Sequence, residues 1–272
     1  MTAFESPSFG SRVKSMLKLD FYRLFNTPLF YIMLAIAAII PAMVLGLSVV
    51  ETTGAPQSTS QYAANTPQIE MPAFDYTWQL IETSENFTGE ESGGFDLAGF
   101  ANINMLYIFA GLLMAIFVAH DYSSGFVKNI FTVHSKKIDY VLSKSAIGIF
   151  SGAGMIVMYV CGTVLAGAFT GKSFELGVGG FGGLVFCLVS KMLLMGVFCP
   201  LFLSIAVFFR SKLWLTIVFT FLLGMMFYPV ASFGTTLDST VIAPLAALVA
   251  GGAGALAFGT VSNLFLKKRD LA

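Results

Sequence analysis

The sequence predicts an all-α polytopic membrane protein with six transmembrane helices, both termini cytoplasmic and an N-terminal amphipathic interfacial helix. Three observations predict it. Of 272 residues, 56% are hydrophobic and 11% charged, less than half the charge of an ordinary soluble domain. Six apolar stretches reach the ~20 residues that a helix needs to cross the hydrocarbon core. Basic residues concentrate in alternate connections between those stretches, as orientation in a membrane demands.

The composition also excludes classes. Disorder needs low hydrophobicity and high net charge, and here 15 basic and 15 acidic residues cancel. A nucleic-acid partner calls for a basic excess, which is absent. Three cysteines, an odd number, build no disulfide framework. Cys161, Cys187 and Cys199 all fall within apolar stretches and read as small apolar residues.

Residues 1–28 form the first unit. Val13, Met16, Leu17, Phe21, Leu24 and Phe25 recur at helical spacing, and most basic residues lie elsewhere on the helix. Such a helix lies on the cytoplasmic leaflet, either as a plain anchor or as a lever that touches a cytosolic partner. Asn26-Thr27-Pro28 breaks it.

Residues 29–272 form the transmembrane domain. The expected spans are Leu29 to Val50, Ala101 to Ala119, Val141 to Phe169, Val178 to Phe209, Leu213 to Ser232 and Val241 to Leu266. Pro41 predicts a kink in the first. The fourth is long enough to tilt strongly or break.

Charge sets the orientation. Residues 1–28 carry Arg12, Lys14, Lys18 and Arg23; residues 120–140 carry Lys128, Lys136 and Lys137, with Lys144 just beyond; Arg210, Lys212, Lys267, Lys268 and Arg269 follow. Residues 51–100 hold eight acids and no Lys or Arg. They form a large extracytoplasmic loop, with apolar residues from Phe74 to Phe95 for a small cap. Its acids either attract a cationic ligand or simply keep the loop soluble.

Lys191 sits mid-span. A charge at that depth costs at least ~2.5–3.5 kcal/mol on the insertion scale and must face protein or a wet cavity. It is either a structurally paired lysine or a substrate-path residue. Residues 166–173 imitate a phosphate-binding loop, but Ala166 stands where the first glycine belongs. Gly171, Lys172 and Ser173 read as a turn, so the chain has no nucleotide site of its own. His120 and His134 flank a loop without a Cys or carboxylate cluster. That pattern suits neither a metal site nor a hydrolase.

The most informative stretch is His120 to Ser145, HDYSSGFVKNIFTVHSKKIDYVLSKS. Asp121 with Ser123 and Ser124 can cap a short helix, and Gly125 permits a sharp turn. Phe126, Val127, Ile130 and Phe131 give that helix an apolar side with no span of its own to cover it.

This pattern resembles the permease subunits of bacterial type-2 ABC exporters. Those chains have an acidic residue at the end of the second span, a glycine four residues on, a short coupling helix, a basic stretch and a lysine entering the third span. The matching positions here are Asp121, Gly125, Lys136 with Lys137, and Lys144. Two positions depart: the family usually has Glu at Asp121 and often Thr at Phe126. The six spans, the cytoplasmic ends, the amphipathic helix and the large first outer loop extend the likeness over nearly the whole chain.

The resemblance implies a subunit without ATPase activity and without a cofactor of its own. ATP and Mg belong to a separate ABC ATPase. Residues 120–140 become the coupling loop, with Asp121, Gly125, Phe126, Val127, Ile130 and Phe131 as the coupling residues. A second permease chain, identical or not, completes a dimer in the lipid bilayer. Peptides, lipids or drug-like compounds are the substrates such chains handle, and small versions often export antimicrobial peptides. The competing readings are a secondary carrier or channel, which calls for internal repeats and more buried polar residues, and a structural membrane protein.

Overall fold

A computed structural model describes residues 8–54, 73, 103–132, 136–171, 173–174, 176, 179–210, 212–227, 230–231 and 239–268. Among these residues every regular element is helical. In chain order they are α1 (Phe9–Phe25), α2 (Pro28–Gly54), α3 (Met105–Ser123), α4 (Phe126–Thr132), α5 (Lys137–Thr170), α6 (Gly180–Phe209), α7 (Leu213–Met226) and α8 (Ile242–Lys268).

Local chemistry sets the breaks. The Ser8 hydroxyl accepts from the Ser11 amide and starts α1. The Asn26 side-chain amide donates to the Tyr22 carbonyl and the Thr27 hydroxyl to the Arg23 carbonyl. Both bonds close the end of α1. Pro28 then opens α2, where its missing N–H leaves no intrahelical bond unmade. Gly125 turns the chain between α3 and α4 at φ 71°, a conformation that side chains with a Cβ resist. Gly171 ends α5 in the left-handed region at φ 70°, as the turn reading expected.

Five helices are long and apolar enough to cross a membrane: α2, α3, α5, α6 and α8. The expected fifth span, Leu213 to Ser232, is a shorter apolar helix, α7, of 14 residues. Pro229 follows three positions beyond Met226, and proline disfavours helix both at its own position and at the residue before it. α6 does not break near Lys191; it runs unbroken through Pro200. The large loop, apart from residues 51–54 and 73, lies outside the described residues, as do His134 and Arg269.

α3 is the axle. Leu106, Tyr107, Ile108, Leu113, Met114 and Phe117 are all buried, and α5, α6 and α7 pack around it. α7 meets it through Thr216, Thr220 and Gly224, spaced four apart on one face. α2 crosses α5 at Gly162, where any Cβ would run into the Ala38 carbonyl; small residues permit such approaches between membrane helices. α8 packs mainly on α6, and most of its surface is exposed and apolar.

α1 packs on the bundle through one face. Its stripe of Met16, Asp20 and Leu24 is buried, and the helix packs against α5. Lys14, Lys18, Leu19 and Tyr22 face outward instead. The buried stripe covers the protein's own helices.

Candidate functional site: a charged knot at the root of the short helix

Four elements converge where α3 ends. α1 contributes Asp20 and Arg23, α3 Phe117 and Asp121, α4 Phe126, and α5 Tyr140, Ser143 and Lys144. The Lys144 ammonium lies 2.7 Å from Asp20 Oδ1 and 2.6 Å from Asp121 Oδ2. Arg23 Nη2 lies 2.6 Å from Asp121 Oδ1, and its Nη1 is 3.9 Å from Asp20 Oδ1. The Ser143 hydroxyl donates to Asp20 Oδ2 at 2.6 Å, and the Tyr140 hydroxyl to Asp121 Oδ2 at 3.0 Å. Two acids and two bases thus close a neutral ring, with Asp20, Asp121 and Lys144 each 0% exposed.

Charges that deep persist only when paired and hydrogen-bonded, because desolvation of each ion is costly. The rings complete the enclosure. The Arg23 guanidinium stands 3.9 Å from the centre of the Phe126 ring, and the Lys144 ammonium 4.1 Å from that of Phe117. Both are cation–π distances. One turn away, Arg12 Nε bonds Asp139 Oδ2 at 2.9 Å and ties α1 to the start of α5 a second time.

α4 hangs from this knot. Its first residue, Phe126, lies under Arg23. Val127 is buried among Met114, Val118, Tyr140, Leu203 and Leu266, and Ile130 and Phe131 pack against the same cluster. The expectation of an uncovered apolar side is therefore corrected: the bundle covers it. Lys128, Asn129 and Thr132 are the exposed side. Asp121 differs too. It is a member of the last turn of α3 and meets Arg23, Lys144 and Tyr140, rather than capping the loop through backbone amides. Gly125 holds the expected turn.

Lys191 belongs to a second node. Its ammonium donates to Asn104 Oδ1 at 2.8 Å and to the Ala231 carbonyl at 3.3 Å. The Tyr107 hydroxyl donates to the Lys191 carbonyl at 3.1 Å. At 1.5 Å per residue, Lys191 sits about 27 Å from the Phe209 end of α6. It therefore joins the start of α3, the body of α6 and the stretch after α7. It faces protein rather than the middle of an apolar span.

Asp20, Arg12, Arg23, Asp139, Tyr140, Ser143 and Asn104 were not singled out as site residues from the sequence. Asp20 had a signal: it interrupts the stripe Met16-Asp20-Leu24 at four-residue spacing. An acid on the buried stripe of a helix implies a buried base. Asn104 had no such signal. Among the described residues no group of His, Cys, Asp and Glu is arranged to hold a metal ion. The knot ties four chain segments together through buried ion pairs, hydrogen bonds and the Arg23–Phe126 contact.

Buried apolar helices with a small charged knot at one end define a multi-pass membrane protein. A model of the ABC-2 family transporter protein matches residues 16–227, and the chain belongs to that family. The match spans α1 from Met16 to α7 and includes every member of the knot. No curated protein and no solved structure matches the chain. Membership of this family implies an ABC ATPase as partner and a transport role in the membrane.

Proposed function

We propose that the chain is the permease subunit of an ABC exporter, and that α4 passes the movements of a separate ATPase to the membrane helices. The observation that carries this reading is the knot. Phe126 at the start of α4, Arg23 of α1, Asp121 of α3 and Lys144 of α5 are in direct contact. A push on α4 therefore reaches three further helices without crossing a flexible joint.

In this reading the ATPase meets Lys128, Asn129 and Thr132. Asp121, Phe126, Val127, Ile130 and Phe131 hold the segment from within, and Gly125 sets its angle. The ATPase binds ATP and Mg and supplies the energy. α7 and the stretch after it complete six spans, with both termini cytoplasmic, and a second permease chain completes the transport path. The substrate is a peptide, lipid or drug-like compound, with antimicrobial-peptide export among the systems such permeases serve. Lys191 serves by tying the start of α3 to the body of α6 beside that path.

The test is affinity purification of the full chain in mild detergent from its native host, followed by mass spectrometry and an ATP-hydrolysis assay. A stoichiometric ABC ATPase is expected. Lys128→Glu with Thr132→Arg should release it while leaving the melting temperature of the permease unchanged. A purified chain that carries no ATPase, or a variant that retains it and transports at the wild-type rate, overturns the proposal.

A further inference from the structure

The end of α8 lies beyond the residues that the family model matches, and it builds a feature that the transport reading does not use. An open groove of about 360 Å³ is lined by Val261, Leu264, Phe265, Lys267 and Lys268. Phe208 of α6 stands against Phe265, the two ring centres 5.2 Å apart. Val261 and Leu264 are exposed on the outward side of α8, where hydrocarbon is the neighbour of a membrane helix. The floor is therefore apolar and the rim, at the helix end, is cationic.

Two more lysines belong to a segment some 130 positions earlier that meets the end of α8. Lys137 Nζ donates to the Leu266 carbonyl at 2.7 Å. That bond brings the start of α5 against the end of α8, with Lys136 exposed beside it. Lysines in a last helical turn ordinarily serve the free carbonyls there; here Lys137 supplies a donor, so Lys267 and Lys268 can point to solvent. Among the described residues, the ion pairs involve Arg12, Arg23 and Lys144 and not Lys136, Lys267 or Lys268. The nearby acid Asp139 is already held by Arg12.

We propose that this groove docks an anionic phospholipid of the inner leaflet, an acyl chain on Val261, Leu264 and Phe265 and the phosphate on Lys136, Lys267 and Lys268. Charge complementarity and position choose the occupant. Basic clusters at the cytoplasmic ends of membrane helices recognise anionic headgroups, and the lining below the rim lies in the hydrocarbon. An acidic protein would meet the rim but not the groove. The inference rests on the cytoplasmic placement of the termini proposed above, and not on the transport role.

The experiment is native mass spectrometry of the full chain in detergent, titrated with phosphatidylglycerol or phosphatidylcholine of identical acyl chains. Wild type should retain phosphatidylglycerol preferentially. Lys136→Gln/Lys267→Gln/Lys268→Gln should weaken that lipid about 10-fold or more and leave phosphatidylcholine unchanged. Leu264→Trp should fill the groove and weaken both lipids, while Lys14→Gln/Lys18→Gln, on the outer face of α1, should change neither. Equal retention of the two lipids by wild type overturns the proposal. So does a triple variant that keeps its preference, or one that loses a protein partner with lipid binding intact.

Discussion

Lys144 of α5 donates to Asp20 of α1 at 2.7 Å, across 124 positions of sequence, and neither side chain touches solvent. This bond makes the first helix part of the membrane domain.

Removing one partner strands a buried charge, which costs about 3–5 kcal/mol. Asp20→Asn and Lys144→Met should each lower the melting temperature of the detergent-purified chain by several degrees. The double variant should lose less than the sum of the two. A double-mutant cycle on melting free energies should give a coupling of at least ~1 kcal/mol. Additive losses would mean that the two side chains stabilise the fold separately.

Arg23 joins Asp121 and the Phe126 ring at once, a task suited to a planar guanidinium. Arg23→Lys keeps the charge but loses the fork and the stacked plane. It should leave the protein folded while making α4 more accessible to protease, with faster cleavage near Lys128. Phe126→Ala should do the same. Unchanged cleavage rates in both would show that α4 is held by Val127, Ile130 and Phe131 without the knot.

Ile130→Asp tests where the apolar side of α4 lies. Because Ile130 packs on the core cluster around Val127 and Tyr140, the variant should destabilise the permease itself by about 2–4 kcal/mol before any partner is added. Gly125→Val forces a β-branched residue to a positive φ, costing roughly 1–2 kcal/mol or more, and should lower transport with ATPase docking preserved. Melting curves of the isolated chain decide the first; transport per bound ATPase decides the second.

Lys191→Met removes the donor that Asn104 Oδ1 and the Ala231 carbonyl share. Loss of these bonds to a charged donor costs about 1–3 kcal/mol, so the melting temperature should fall. Transport per folded molecule should stay near wild type. A variant with unchanged melting and altered substrate-stimulated ATPase would assign Lys191 to the substrate path instead.

Charge alternation makes the topology testable. In a chain freed of Cys161, Cys187 and Cys199, the variants Ser60→Cys and Glu90→Cys should label with a membrane-impermeant thiol reagent applied to intact cells. Lys136→Cys and Lys268→Cys should label only after the membrane is opened. External labelling at position 136 would invert the reading of α4 and the knot together.

The membrane class, the positions of the long spans and the acidic loop against the basic ones follow from the sequence alone, because bilayer crossing is a one-dimensional demand. About 20 apolar residues in a row suffice, and loop charge is counted without knowing any contact. Gly125 was legible for a similar reason, since a turn needs only its neighbours. The knot was not. Asp20 meets Lys144, Arg12 meets Asp139 and Lys137 meets Leu266 over 124 to 129 positions, and no local periodicity encodes which acid finds which base. The same distance hid the fate of α4: its apolar side looked uncovered in the sequence, and α5, α6 and α8 cover it together with the neighbouring α3. Hydrophobicity decides that a face must be buried. Only the packing of distant helices decides against what, and here that choice turned an expected surface helix into part of the bundle and two acids into the centre of its charge network.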